Sequence, residues 1–459
     1  MTTASVPGSS DVSGGPDVPA APPAAPFVPA APPADPDELD DPLASAHLDA
    51  TDPLAHHTAL FLPAADVVSY LDGNSLGRPM AATPARLDAF VRDEWGTRLI
   101  RSWDERWMAL PTEVGDRIGT VALGAAPGQT VVGDSTTVLL YKAIRAALAA
   151  RPGRHEIVID DDQFPTDRFV VEGIARERGA VVRWVSVDPA LGVTPELLAP
   201  VLGPDTAVVL VNHVSYRSAF VADLEAIAAV VREAGALLVA DLCHSVGVVP
   251  MQLDAWGVDI AVGCTYKYLN GGPGAPAFLY ARADLIAELD QPIQGWMGAA
   301  DVFAMADGYT ASPGIRRFIS GTPPVVGMLA MQDMLDLVDE AGLDAVRAKS
   351  VALTEYALEL VDAWLVPLGV EVASPRDPAQ RGSHVMIRHA AFREVVAMLW
   401  EQGVVPDFRN PDGLRIGLSP LSTSFEEVRV GLAAVRTALE EQQADPAPAS
   451  ALEPGPTTP

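Results

Sequence analysis

Positive charge is what this sequence has little of. Of 459 residues, 31 are Lys or Arg against 60 Asp or Glu, a formal net charge of -29. Nucleic acid and anionic membrane surfaces both require clustered Lys and Arg, so neither is an expected partner. Cysteine is equally scarce. Cys243 and Cys264 make no disulfide framework and no four-thiolate site, and Cys243-His244 fits no zinc spacing, so no metal is expected. No apolar run reaches the roughly 18 residues that a bilayer span needs. The first basic residue is Arg78, so the basic start of a secretory signal is missing and a cytoplasmic location is the expectation. What the chain does have is 49% apolar and 20% charged residues, the balance of a globular protein. Its length predicts two or three lobes and a sizeable core.

Residues 1–50 are rich in Pro, Ala and Asp, as in PAAPPAAPFVPAAPPADPDE. Such a stretch buries too little apolar surface to offset its ordering entropy, so a disordered tail is expected, with a proline-rich docking segment as the sharper alternative. Residues 442–459 read the same way. Between the tails, HEIVIDD, AVVRWVSV, TAVVLVNHV, ALLVADL, DIAVGC and APAFLYA are nearly unbroken apolar runs bounded by Gly, Pro or Asp. Unbroken apolarity predicts strands buried on both faces, as in a mostly parallel sheet covered by helices. Helical patterns such as TDRFVVEGIARERG and VADLEAIAAVVREAG lie between them and end at Gly. The expected organisation is an α/β fold in three parts: a 52–111 segment packing with the small domain, a large domain over 112–322, and a smaller α/β domain over 323–441.

Ligands of open α/β sheets bind outside the carboxyl ends of the strands. Four such ends carry chemistry here: Asp241 to His244 after ALLVA, Cys264 to Lys267 after DIAVG, Ser135 to Thr137 after TVV, and Gln163 to Asp167 after IVIDD. Each has a plain structural explanation. Asp241 can be a loop acid, the hydroxyls a helix cap, Phe164 core, and His244 a hydrogen-bonded structural ring. Lys267 is harder to explain so, because YKYLNGGPGAP leaves it no obvious route to water, and a buried lysine loses charge readily. Together they match the needs of pyridoxal phosphate: a lysine for its aldehyde, an acid for its pyridine nitrogen, a helix start with hydroxyls for its phosphate, and a flat ring to stack on it.

YLDGNSLG (70–77), GDSTT (133–137), FPTD (164–167), DLCHSVG (241–247), GCTYKYLNGGPGAPAF (263–278), GW (295–296), GIRRFISGTPP (314–324), RGSHV (381–385) and VVPDFRNPDGLRIGLSPL (404–421) resemble kynureninase, in register over about residues 54–441. The resemblance implies the aspartate-aminotransferase-type fold (fold type I, class V branch), working as a homodimer with shared active sites. It implies pyridoxal phosphate as cofactor and cleavage of L-kynurenine to anthranilate and L-alanine, the chemistry of tryptophan breakdown. Lys267 is then the Schiff-base lysine and proton carrier, Asp241 the partner of the pyridine nitrogen, and His244, Phe164 and Asp167 the residues around the ring. Ser135, Thr136 and Tyr266 hold the phosphate, with Trp296 and Thr322 entering from the second subunit, and Tyr266 is the acid of the second half-reaction. Arg415 grips the substrate α-carboxylate, Trp103 lines the aryl pocket, and Asn74 belongs to the substrate site.

The pattern is broken at Ala299, Ala300 and Asp301, where the family has polar residues after Gly-Trp, and at Val214-Ser215 and Ser218-Ala219. A relative acting on another γ-keto or β-substituted amino acid is therefore the same-fold alternative, and a non-catalytic scaffold the alternative of a different class.

Overall fold

The computed structural model describes residues 42–444. Its first strand, β1 (Ser69–Tyr70), belongs to a minor layer. The main layer is built from β2 (Thr130–Val132), β3 (Glu156–Asp160), β4 (Val181–Val185), β5 (Thr206–Asn212), β6 (Leu237–Asp241), β7 (Ile260–Gly263) and β8 (Phe278–Ala281). These seven lie in the order β2-β8-β7-β6-β5-β3-β4. The pairs β3/β4, β3/β5, β5/β6 and β6/β7 are parallel, and β8 runs antiparallel to both β2 and β7. Alternate side chains enter two core clusters on opposite faces: Val209, Val211, Leu238 and Ala240 on one, Val208, Leu210, Leu237 and Val239 on the other. That is the double burial the unbroken apolar runs imply.

One strand departs from it. β4 ends the sheet, and only Val185 of its five residues is buried, with Val181 59% and Trp184 40% exposed. An edge strand has one strand neighbour and need not be covered on both faces. Its Arg183 pairs outward with Glu156, and Arg168 sits over the Trp184 ring at 5.6 Å.

The second domain is a four-stranded antiparallel sheet ordered β12-β13-β10-β9, from β9 (Glu371–Val372), β10 (His384–Arg388), β12 (Asp407–Arg409) and β13 (Gly413–Gly417). Val385, Ile387, Leu414 and Ile416 point to the helices Leu343–Leu360, Phe392–Glu401 and Phe425–Ala444 and form a third core. By alternation, His384, Met386, Asp407, Arg409 and Arg415 occupy the opposite face, where Arg415 and His384 meet the large domain at Tyr216 and Arg217.

The 52–111 segment is divided. β1 pairs with β11 (Val404–Val405) on the small domain, whereas Phe90, Trp107 and Leu110 join the first core of the large domain. Residues 42–50, read from composition as tail, are instead part of a helix, Pro42–Thr51. Asp49 explains its place: its carboxylate accepts from the Phe425 and Glu426 N–H groups at 2.8 and 3.0 Å and caps the last helix. That last helix runs to Ala444, past the expected start of the second tail. The remainder of both expected tails, 1–41 and 445–459, lies outside the described residues. Among the described residues no helix is long and apolar enough to cross a membrane, and no cluster of His, Cys, Asp and Glu suits a metal.

Candidate active site

Because β3, β5, β6 and β7 are parallel, their carboxyl ends open on one edge of the sheet. A cavity of about 90 Å³ lies there, lined by Thr136, Thr137, Phe164, Asp167, Asn212, Tyr216, Asp241, Cys243, His244, Tyr266 and Lys267. Lys267 is 8% exposed, and its Nζ lies 2.9 Å from Nε2 of His244. The same Nζ is 6.0 Å from the centre of the Phe164 ring and 5.9 Å from that of Tyr266. Gly77 fits beneath it: a Cβ there would lie 2.3 Å from the Lys267 carbonyl oxygen, so no larger residue is accommodated.

Burial, reinforced by Lys267 and Arg415, holds the His244 imidazole well below its usual pKa, so the ring is neutral and can accept from the amine. Its Nδ1 is buried without a hydrogen bond among the described residues. Asp241, the last residue of β6, accepts from the Cys243 N–H at 2.7 Å. The Asn212 amide bridges two acids, donating to Asp167 at 3.0 Å and Asp241 at 3.3 Å. Burial, then the Asp241 charge, raises Asp167 well above the carboxylate range, so Asp167 keeps its proton beside Asp241. The Tyr266 phenol is pushed up by burial and by Cys264 and stays protonated.

Arg415 is 1% exposed and already engaged. It donates to the Tyr216 carbonyl and to Ser75 Oγ at 2.7 Å each and lies 2.7 Å from Asp407. With its amide turned to satisfy both atoms, Asn74 accepts from Arg415 Nε at 2.8 Å. Four of five guanidinium N–H groups thus have partners, so a bidentate grip on a substrate carboxylate needs one of them to yield. Asn74 itself is fully buried.

Ser135, Trp103, Trp296 and Thr322 are not gathered into this cavity. Ser135 caps the helix Thr136–Ala149, accepting from Val138 N–H at 3.5 Å, while Thr136 and Thr137 line the cavity. Trp103 packs edge-on to Trp107 at 5.3 Å, against the first core. Trp296 is 43% exposed beside Ala299, Ala300 and Asp301 along a separate groove, and Thr322 is exposed. Three residues escaped the sequence reading. Asn212 ends β5, whose carboxyl end is not among the four that the sequence marks for chemistry. His384, buried 5.6 Å from the His244 ring, stands in the RGSHV stretch. Lys142 is buried and bonds Asp134 at 2.5 Å, the Phe318 carbonyl at 2.6 Å and Ser320 Oγ, tying the GDSTT turn to the 318–320 segment.

This donor set fits pyridoxal phosphate. An amine whose one hydrogen-bond partner among the described residues is a neutral imidazole, a carboxylate at a strand end, a helix start bearing Thr136 and Thr137, and an aromatic face converge on one small cavity.

Comparison with known proteins gives three findings. The Kynureninase C-terminal domain family matches residues 346–435, and the Cys/Met metabolism PLP-dependent enzyme family matches residues 127–311. The chain is 41% identical over 390 residues to a protein of Pseudomonas fluorescens named Kynureninase, covering 83% of this chain and 91% of that one. It is 42% identical over 387 residues to one of the same name from Deinococcus radiodurans, covering 83% and 92%. Among solved structures, a cysteine desulfurase of Escherichia coli superposes with a TM-score of 0.72 at 18% identity, over 84% of this chain and 98% of that one, which shows the fold.

Proposed function

The chain belongs to the kynureninase family, and on that premise we propose that it hydrolyses the Cβ–Cγ bond of L-kynurenine, releasing anthranilate and L-alanine. Its cofactor is pyridoxal phosphate. The observation that carries the reading is the meeting of Lys267, Asp241 and Phe164 at the strand ends, with Arg415 facing them from the small domain.

In this reading Lys267 Nζ is the amine that would hold the cofactor through its aldehyde and would serve as the base for the substrate α-proton. His244 at 2.9 Å accepts from that amine and positions it. Asp241 would hold the pyridine nitrogen protonated; Asn212 fixes the carboxylate, and the protonated Asp167 beside it avoids a second buried charge. The bound cofactor supplies the electron sink for bond cleavage at the α- and β-carbons. Phe164 would stack on the ring, and Thr136, with the N–H groups of its helix start, would hold the phosphate together with Ser135. Tyr266 keeps its proton at neutral pH, which supports it as the acid of the second half-reaction. Arg415 binds the α-carboxylate by exchanging Asp407 or Ser75 for it. Asn74 orients Arg415 from behind. Trp296 and Thr322 complete the phosphate site across a dimer of two copies, Trp103 lines the aryl pocket, and the location is cytoplasmic. The test is direct: purified protein loaded with cofactor, given L-kynurenine, should develop anthranilate fluorescence and equimolar alanine. A loaded protein that leaves kynurenine intact overturns the assignment.

A further inference from the structure

Between the two domains lies a second, larger cavity of about 270 Å³. Pro189, Ala190, Ala373, Met386 and Pro411 give it apolar walls. It is lined from the sheet face that carries Arg415, since Met386 on β10 is the cross-strand partner of Arg415 on β13 and Arg217 follows Tyr216, but Lys267, Asp241 and Phe164 do not line it.

Two guanidinium groups line this space, Arg217 from the large domain and Arg409 from β12. Each is anchored through Nε. Arg217 Nε donates to Tyr216 Oη at 2.8 Å and lies 3.1 Å from Asp162. Arg409 Nε donates to Asp407 at 2.7 Å. Their terminal amino groups make no hydrogen bond among the described residues. The third cation, Arg388, is matched by Asp412 through two bonds of 2.9 Å, and the rim acid Asp188 accepts from Ala190 N–H at 2.9 Å. In a chain of net charge -29, a cavity lined by three arginines against two aspartates, with the terminal amino groups of two of those arginines unbonded, is the exception.

Its chemistry narrows the ligand. A small hydrated anion gains nothing from apolar walls, and a neutral ring leaves the arginine donors without acceptors. A flat apolar body carrying one carboxylate satisfies both. We propose that this cavity is a binding site for a small aromatic carboxylate, its carboxylate held between Arg217 and Arg409 and its ring against Met386 and Pro411. The reaction product of the preceding section is one such molecule; that identification rests on the proposed function, whereas the site does not.

The test uses the cofactor-loaded, full-length protein and reads binding rather than turnover. 2-Aminobenzoate is titrated in and its own fluorescence anisotropy followed, with benzoate and acetate as competitors. Arg217→Gln removes a donor pair, and Ala190→Trp, on an exposed loop, fills the cavity; retention of the cofactor absorbance band confirms that each variant is folded. Affinity should fall at least tenfold in both variants, with benzoate displacing the probe and acetate failing to. Unchanged affinity in both would place the ligand elsewhere, and displacement by acetate as readily as by benzoate would remove the aromatic requirement; either overturns the proposal. A protein that binds here yet leaves kynurenine intact would refute the proposed reaction alone.

Discussion

Nζ of Lys267 lies 2.9 Å from Nε2 of His244, the one hydrogen-bond partner of that amine among the described residues. A buried lysine beside a neutral imidazole, rather than beside an acid, has no ion pair to lose when it becomes a nucleophile or a base. Lys267→Ala should lower turnover by more than about 10³-fold, because both the cofactor linkage and the α-proton transfer lose their group. A visible absorption band from the linked cofactor should vanish with it. Ordinary turnover and an intact band in Lys267→Ala would move both roles to another residue.

Asn212 spans Asp167 and Asp241. Removing a hydrogen bond to a buried charged group costs about 1.5–3 kcal/mol. Asn212→Ala should therefore weaken cofactor retention by roughly 10–100-fold, and Asp241→Ala should weaken it further. Equilibrium dialysis of the cofactor checks both. Equal affinity in Asn212→Ala would show that Asp241 needs no such support.

Arg415→Lys keeps the charge and loses the fork. It should raise KM for kynurenine by about 10–100-fold, each lost charge-assisted bond being worth about 1.5–3 kcal/mol, and change kcat less. Steady-state kinetics decide it. A fall in kcat at constant KM would mean that Arg415 organises Tyr216 and Ser75 instead of binding substrate.

Asp160 sits buried at the end of β3, raised to about 6 chiefly by burial. A carboxyl with a raised folded pKa costs no stability below its unfolded value near 3.8, and the penalty develops as pH rises through the folded value. A shift of about two units corresponds to about 3 kcal/mol at most, and the Gln163 bond is kept by an amide. Asp160→Asn should thus be more stable than the parent at pH 7.5 by about 1–3 kcal/mol, and the gap should close on going to pH 4. Thermal melts across that range test the sign; a gap that widens in acid contradicts it.

The cavity residues that the sequence betrays are those whose chemistry is local. Lys267, Asp241, His244 and Phe164 each follow an apolar strand at once, so one rule about strand ends finds them. Asn212 is different, because its meaning depends on β5 lying beside β6 and on the Asp167 helix start leaning over both. Lys142 reads as one polar residue on an amphipathic helix, and only the fold closes Ser320 and Phe318 over it. Arg415 looks free in LRIG; its partners come from residues 72–75, 216 and 407, which no spacing connects. Composition misplaced 42–50 for a similar reason, since the Asp49 cap on the last helix is a contact across the whole chain. β4 departs from the double burial because an apolar run does not say whether a strand is central or at an edge.

The claim at the centre is that water breaks the Cβ–Cγ bond of kynurenine, its oxygen entering the aryl carbonyl carbon while the other three carbons leave as alanine. The reaction run in ¹⁸O-water and analysed by mass spectrometry reads this directly. The account predicts one ¹⁸O atom in the carboxylate of anthranilate, in equal amount to alanine, and none of either product from Lys267→Ala. Anthranilate without the label, or aryl products arising without alanine, would contradict it.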